Sequence, residues 1–261
     1  ILKLANKYRI PVTPRAGGTG LADGAVPLRK GILLDIKRMD KILEIDEENM
    51  CVTVQAGIQN HVLNDHLRRR GYIFPDDPCS QPGCVVGGRI GTSGWSLIPG
   101  WSGHVRDLVR SMIWVLPTGK VIQLSEGGGR KLSKSSTGYT LKHLFFGAQG
   151  TLGICTEATL EMFPLPEAEF PAFWGFKSFY DAWKACGKLM KLGMRTIGTY
   201  IMFDEMKLEF LRRDDEAYIP LPRDVRGLLL WVLYGPEKSV EAERDILWQK
   251  TKELGGVYLG R

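Results

Sequence analysis

Apolar residues recur at helical spacing over residues 1–8 and again at Ile58, Val62, Leu63 and Leu67, so the pattern predicts two helices, the second closed by Gly71. Between them the apolar runs are short. Residues 31–36, 41–46 and 51–57 read as strands, and strands this closely spaced argue for an α+β sheet rather than a series of βαβ crossovers. Residues 112–116 and 121–124 flank Pro117-Thr118-Gly119-Lys120 as a hairpin, a short amphipathic turn ends at Phe145-Phe146, and residues 158–163 form a further strand. Beyond Pro164-Leu165-Pro166 the texture shifts. Strands are predicted at 172–176, 196–203 and 228–233, with helices at 178–192, 205–213 and 239–254. The prolines therefore mark a domain boundary, dividing the chain into 1–164 and 165–261, and the second part has the alternation of a ferredoxin-like α+β domain.

Three glycine-rich stretches interrupt this pattern. The first, Pro14-Arg15-Ala16-Gly17-Gly18-Thr19-Gly20, follows the apolar run Ile10-Pro11-Val12. Glycines let successive backbone N–H groups point into one concavity, so this stretch is either a plain turn or an anion cradle suited to phosphate. The second lies in a Gly-, Pro- and Ser-rich segment, residues 75–103, read as one long loop. Its run 87–94 offers a further set of backbone N–H groups, and Trp95 and Trp101 within it argue against disorder. The third, residues 147–157, leads straight into the strand at 158. No GxGxxG signature is present, which excludes a Rossmann expectation.

Composition narrows the classes further. With 261 residues, 44% hydrophobic and 25% charged, the chain has room for about two domains. No apolar run approaches the ~18 residues of a membrane span. The net charge of +6 is dispersed, and its only compact run, Arg68-Arg69-Arg70, sits where cations complement a helix C-terminus, so nucleic acid is not the expected partner. A mild positive balance suits an anionic cofactor and substrate. Five cysteines without a CxxC pair, and four scattered histidines, predict no metal site and a reducing, cytoplasmic setting. Numbering begins with Ile1 inside a helical pattern, so the sequence reads as a piece of a longer chain.

Six ordered motifs carry a resemblance: PRAGGTG, VQAG, DDPCSQPGCVVGG, GHVRDLV, LPTGKV and STGYTLKHLFFGAQGTLGICTEATLEMFPLP. In order and spacing they resemble the FAD-linked oxidases of the vanillyl-alcohol-oxidase type, and among these the flavoprotein subunits of D-lactate and glycolate dehydrogenases. The resemblance implies a two-subdomain α+β FAD-binding domain over 1–164, followed by part of a ferredoxin-like cap over 165–261. It implies that the loop Arg15, Ala16, Gly17, Gly18, Thr19, Gly20 and Leu21 wraps the FAD pyrophosphate. Pro78, Ser80, Gly87 and Gly88, with Gly91, Thr92 and Gly94 after them, would continue that cradle. Gly103, His104 and Asp107 would lie along the flavin, and Gly153 and Ile154 would close backbone onto the cofactor.

Departures from the family pattern refine what is expected. Thr19 stands where members with covalent flavin often carry His, so FAD should be held non-covalently there. The family's Asn-Ala-Gly-Gly loop is here Ser93-Gly94-Trp95-Ser96, its Tyr before Gly103 is Ser102, and its Ser-Glu is Ala148-Gln149. Trp95 and Trp101 then either shape a substrate pocket or serve packing. The resemblance implies oxidation of a D-2-hydroxy acid by hydride transfer to flavin, with an electron-acceptor protein or iron–sulfur subunit as partner, and a location that is cytoplasmic or peripheral to a membrane through that partner. The catalytic base and carboxylate clamp are expected after Arg261, and no catalytic residue is assigned here; His104 reads as a loop residue before it reads as a base. Two other readings stay open: a non-catalytic electron-relay subunit, and an ether-lipid synthase of the alkyl-dihydroxyacetone-phosphate type.

Overall fold

The computed structural model describes residues 1–213 and 221–260. They form two compact units, one of Ile1–Leu97 with Ser102–Leu165, the other of Ile98–Trp101 with the chain from Pro166 onward. The elements run α1 (Leu2–Tyr8), β1 (Val12–Arg15), β2 (Ile32–Asp35), β3 (Ile42–Asp46), β4 (Cys51–Gln55), α2 (Asn60–Arg68), β5 (Tyr72–Ile73), α3 (Val86–Thr92), α4 (Pro99–Ser102), α5 (Val105–Leu108), β6 (Val109–Val115) and β7 (Val121–Ser125). After a 3₁₀ turn at Leu141–Phe145 come β8 (Ile154–Glu161), β9 (Phe163–Pro164), β10 (Ala168–Phe176), α6 (Phe179–Met190), β11 (Ile197–Phe203), α7 (Glu205–Arg212), β12 (Gly227–Gly235), α8 (Glu237–Glu253) and β13 (Val257–Gly260).

The first unit is built on an antiparallel five-stranded sheet in the order β3-β4-β8-β6-β7. Strand β4 reads Cys-Val-Thr-Val-Gln and buries its first four residues, because β-branched side chains on an internal strand fit a pleat covered on both faces. Its neighbour β8 meets it in register from Cys51↔Glu161 to Gln55↔Glu157, and the hydroxyls of Thr53 and Thr159 hydrogen-bond across at 3.0 Å. Helix α2 drops Leu63 and Leu67 into the same core as Val52, Val54, Met112, Trp114 and Leu160. The hairpin between β6 and β7 forms as the turn residues predict.

Three features depart from the sequence expectation. Strands β1 and β2 pair in parallel, Val12↔Ile32 through Arg15↔Asp35, so one non-hairpin connection exists where closely spaced strands suggested none. Residues 75–103 are not one continuous loop: they contain α3, whose three glycines disfavour a helix by propensity and so hide it. A Cβ on Gly87 would lie 2.8 Å from the Ala56 carbonyl oxygen, so the helix sits closer to the end of β4 than any larger residue permits. The third is β13, four residues long, which no apolar periodicity announced.

The second unit is an antiparallel sheet in the order β11-β12-β10-β13. With α6 after β10 and α8 after β12, this is ferredoxin-like connectivity, and all four strands that the motif requires are present. Ser178 caps α6 by accepting the Asp181 N–H at 3.1 Å, as a Ser before an apolar helix should. Ala182, Ala185, Cys186 and Leu189 of α6 and Val240 and Leu247 of α8 share one core with Trp174 and Trp231. Leu208 of α7 packs with Val225 and Leu228 in a second, smaller cluster. No described helix is long and apolar enough to cross a membrane.

Candidate functional site

All three glycine-rich stretches predicted from the sequence converge on α3. At its start, a Cβ on Gly88 would stand 3.0 Å from the Ala16 methyl and 3.9 Å from the Gly17 nitrogen, which places the first stretch alongside the second. At its end, the Ile90 and Gly91 carbonyls accept the N–H groups of Gly147 and Gln149 at 3.2 and 2.9 Å, which brings in the third. The sequence signalled each stretch separately but not this meeting, because pairing over tens of residues leaves no local pattern.

In the first stretch, Gly18 takes φ +71°, a left-handed conformation that favours glycine. Gly17 is required for a different reason. A Cβ there would collide with the Gly83 carbonyl oxygen and stand 3.0 Å from the Cys84 Cα, so the backbone of residues 83–84 lies directly on it. The left-handed turn therefore falls on Gly18, and Gly17 is the site of close approach. Thr19 turns its methyl towards Gly83, 2.9 Å from where a Cβ of that residue would be.

Among the described residues, the N–H groups of Gly17, Gly18, Thr19, Gly20 and Gly88 donate to no protein acceptor. The Arg15 guanidinium folds back over Gly18 and, among the described residues, makes no ion pair. At Gly20 and Gly91 a Cβ would meet no protein atom within 4 Å. Several unspent N–H donors beside an unpaired cation are the donor set that a diphosphate satisfies. Val12 and Pro14 of β1 line a cavity of about 370 Å³ together with Asn6, Arg9, Gly150, Thr151, Gly153 and Ile154.

Not every predicted residue faces that cradle. Gly94 is small because the Arg89 guanidinium passes beneath it: a Cβ would sit 2.6 Å from Cζ. Gly87 serves the contact with Ala56, and Thr92 returns its hydroxyl to the Gly88 carbonyl at 2.8 Å. Pro78 is buried, Ser80 is half-buried and Leu21 projects fully from the surface. Asp107 accepts the His104 N–H at 2.9 Å and so ties the first turn of α5, while Gly103 at φ +81° leaves room for that carboxylate. Of the two tryptophans left open, Trp101 stacks on Tyr234 within the second unit, centroids 5.4 Å apart, whereas Trp95 is exposed. Among the described residues no cluster of His, Cys, Asp and Glu could hold a metal.

The sequence reading did not single out Asp76 or Arg89. Their side chains are buried and form a two-pronged ion pair, Nε to Oδ2 and Nη2 to Oδ1, each 2.7 Å. A buried charge needs a partner, but Asp76 sits beside Asp77 between prolines, so no local signal in the sequence marks it as buried.

A glycine-lined recess between strand β1 and helix α3, set on an α+β sheet, has the donors that an anionic group would need. Residues 1–125 match the family described as FAD binding domain. D-lactate dehydrogenase of Anaerostipes hadrus is 39% identical over 168 residues, covering 64% of this chain and 34% of that protein. Glycolate oxidase subunit GlcD of Bacillus subtilis is 33% identical over 246 residues, 94% of this chain and 51% of that protein. Among solved structures, an alkyldihydroxyacetonephosphate synthase superposes with TM-score 0.81 at 22% identity, over 99% of this chain and 50% of that one. A p-cresol methylhydroxylase superposes with TM-score 0.77 at 22% identity, over 98% and 55%. Residues 1–125 thus match an FAD binding domain, whose family cofactor is FAD, and the chain shares its fold with these two solved structures. The chain spans between about a third and a half of the length of these curated relatives.

The cradle makes a chemical prediction about its cysteines. Burial pushes the thiols of Cys51, Cys84 and Cys186 up and that of Cys155 up to about 12, so at neutral pH they stay protonated and inert. Cys79 alone is exposed, next to Ser80 at the cradle's edge. Iodoacetamide should therefore label Cys79 first among these five, and saturating FAD should slow that labelling. Peptide mass mapping with and without FAD checks it, and a Cys79 rate indifferent to FAD would place the cofactor elsewhere.

Proposed function

We propose that the whole protein is an FAD-dependent dehydrogenase that oxidises a D-2-hydroxy acid of the lactate or glycolate type to the 2-oxo acid and passes the electrons to an acceptor protein or iron–sulfur subunit. The observation that carries the cofactor part is the set of unspent N–H groups at Gly17, Gly18, Thr19, Gly20 and Gly88 beside the free Arg15 guanidinium. The substrate part is supported by the relatives, named D-lactate dehydrogenase and glycolate oxidase subunit.

In this reading Arg15 and the 17–20 loop hold the pyrophosphate, with Gly88 donating from the facing helix. Gly153 and Ile154, with Val12 and Pro14, line the cavity that receives a further part of the cofactor. Thr19 offers no imidazole for a histidyl bond, so the flavin is held non-covalently. FAD, when bound, supplies the acceptor for hydride from the substrate C2. Proton removal from the hydroxyl, and the clamp on the carboxylate, are assigned to the remainder of the protein; His104, whose backbone N–H is tied to the Asp107 carboxylate, is given no proton-transfer role.

The test uses the full-length protein. Acid precipitation should release yellow FAD into the supernatant, and flavin left in the pellet would overturn non-covalent binding. Under anaerobic conditions D-lactate should bleach the visible flavin band, whereas L-lactate should act at least ~100-fold more slowly, because a fixed base, clamp and flavin face tolerate little misplacement of the reacting hydrogen. Equal bleaching by both enantiomers would overturn the substrate reading. Bleaching by an artificial reductant but by no 2-hydroxy acid would favour an electron-relay subunit or the ether-lipid chemistry named for the structural neighbour.

A further inference from the structure

We infer that the buried Asp76–Arg89 ion pair is the positioning device of the cofactor cradle, an inference that rests on the FAD reading above. The pair is sealed, with the Asp76 side chain fully buried and that of Arg89 9% exposed. Arg89 projects from α3, the helix whose Gly88 faces the phosphate loop. Its Nη2 serves two partners, the Asp76 carboxylate at 2.7 Å and the Trp95 carbonyl at 2.8 Å. Asn60, the first residue of α2, donates to the same carboxylate at 3.2 Å. The two strands of chain so gathered are also laced together: the Asp77 N–H donates to the Ser96 hydroxyl at 3.0 Å and the Leu97 N–H to the Asp77 carbonyl at 2.7 Å.

One guanidinium thus orients both the segment that leads into Pro78 and Ser80 and the turn that carries the exposed Trp95. A two-pronged Arg–carboxylate contact fixes angle as well as distance, which a lysine or an apolar pair does not. A buried pair of this kind adds little net stability over apolar residues of similar volume. What it contributes is therefore geometry: the placement of the 78–84 loop, whose Gly83 and Cys84 lie against Gly17, relative to the donors of α3. Asp76 and Arg89 touch no cofactor in this assignment; they act through the loop.

The experiment is FAD titration of full-length apoprotein, read together with its thermal midpoint and the visible circular dichroism of the bound flavin. The double variant Asp76→Leu/Arg89→Met removes both charges at once, so the apoprotein should melt at the same temperature or higher. FAD affinity should nevertheless fall by about tenfold or more, with an altered flavin dichroism. Arg89→Lys, which keeps the charge and loses the fork, should fall between wild type and the double variant. Wild-type affinity and dichroism in the double variant would overturn the inference and leave the pair a packing feature. Should the double variant not fold, wild-type FAD binding by Arg89→Lys overturns it equally. Wild-type protein that takes up no FAD overturns the cofactor reading, and this inference with it.

Discussion

Gly17→Val is expected to leave the full-length protein nearly colourless, with FAD affinity lowered by more than tenfold, about 1.4 kcal/mol or more. The cause is steric. The Gly83 carbonyl and the Cys84 Cα already occupy the volume a Cβ would need, and both are backbone, so neither can rotate away. Relief requires the 78–84 loop to lift from the 15–20 loop, which separates the donors that a diphosphate must bridge. Gly20→Ala is the control, because a Cβ there meets no protein atom and the apoprotein should keep its melting temperature. Equilibrium titration with FAD and a melt of each apoprotein decide the matter. Unchanged flavin content in Gly17→Val would show that the stretch is only a turn.

Trp174→Ala should cost about 3–5 kcal/mol of folding stability, a large share of the ~5–15 kcal/mol that a domain possesses. Trp174 is fully buried on β10, with Trp248, Tyr258 and Trp231 at centroid distances of 4.9, 5.5 and 6.2 Å. Truncation leaves a cavity among rigid rings that cannot collapse into it. Trp174→Phe should cost much less. Among the described residues the Trp174 indole N–H is buried without an acceptor, so exchanging it for carbon removes an unpaid desolvation along with some packing. Urea unfolding followed by circular dichroism measures both, and a Phe variant as unstable as the Ala variant would mean that the N–H has a partner that matters.

Much of the secondary structure was legible because its signals are local. Leu63 and Leu67 at helical spacing, Ser178 as an N-cap, and the continuous apolar run of β12 each settle their element within a few residues. The first glycine loop was legible for the same reason. Helix α3 was not, because Gly87, Gly88 and Gly91 look like loop residues until Ala56 is brought against one of them. Neither was the role of Gly94, which depends on a guanidinium five residues back that turns towards Asp76.

The sequence by itself determined the α+β class and, through six ordered motifs, the cofactor family. Each of these is written in residue type and spacing along the chain. Tertiary structure alone decided that the three glycine stretches meet on α3, that Gly17 rather than Gly18 is the point of contact with residues 83–84, and that Trp101 is a packing residue on Tyr234. It also decided that Asp76 and Arg89 belong together. The physical reason is common to all: these are contacts between segments distant in sequence or turned towards one another by the fold, set by van der Waals exclusion and by the cost of burying an unpaired charge, and neither is expressed until the backbone has closed.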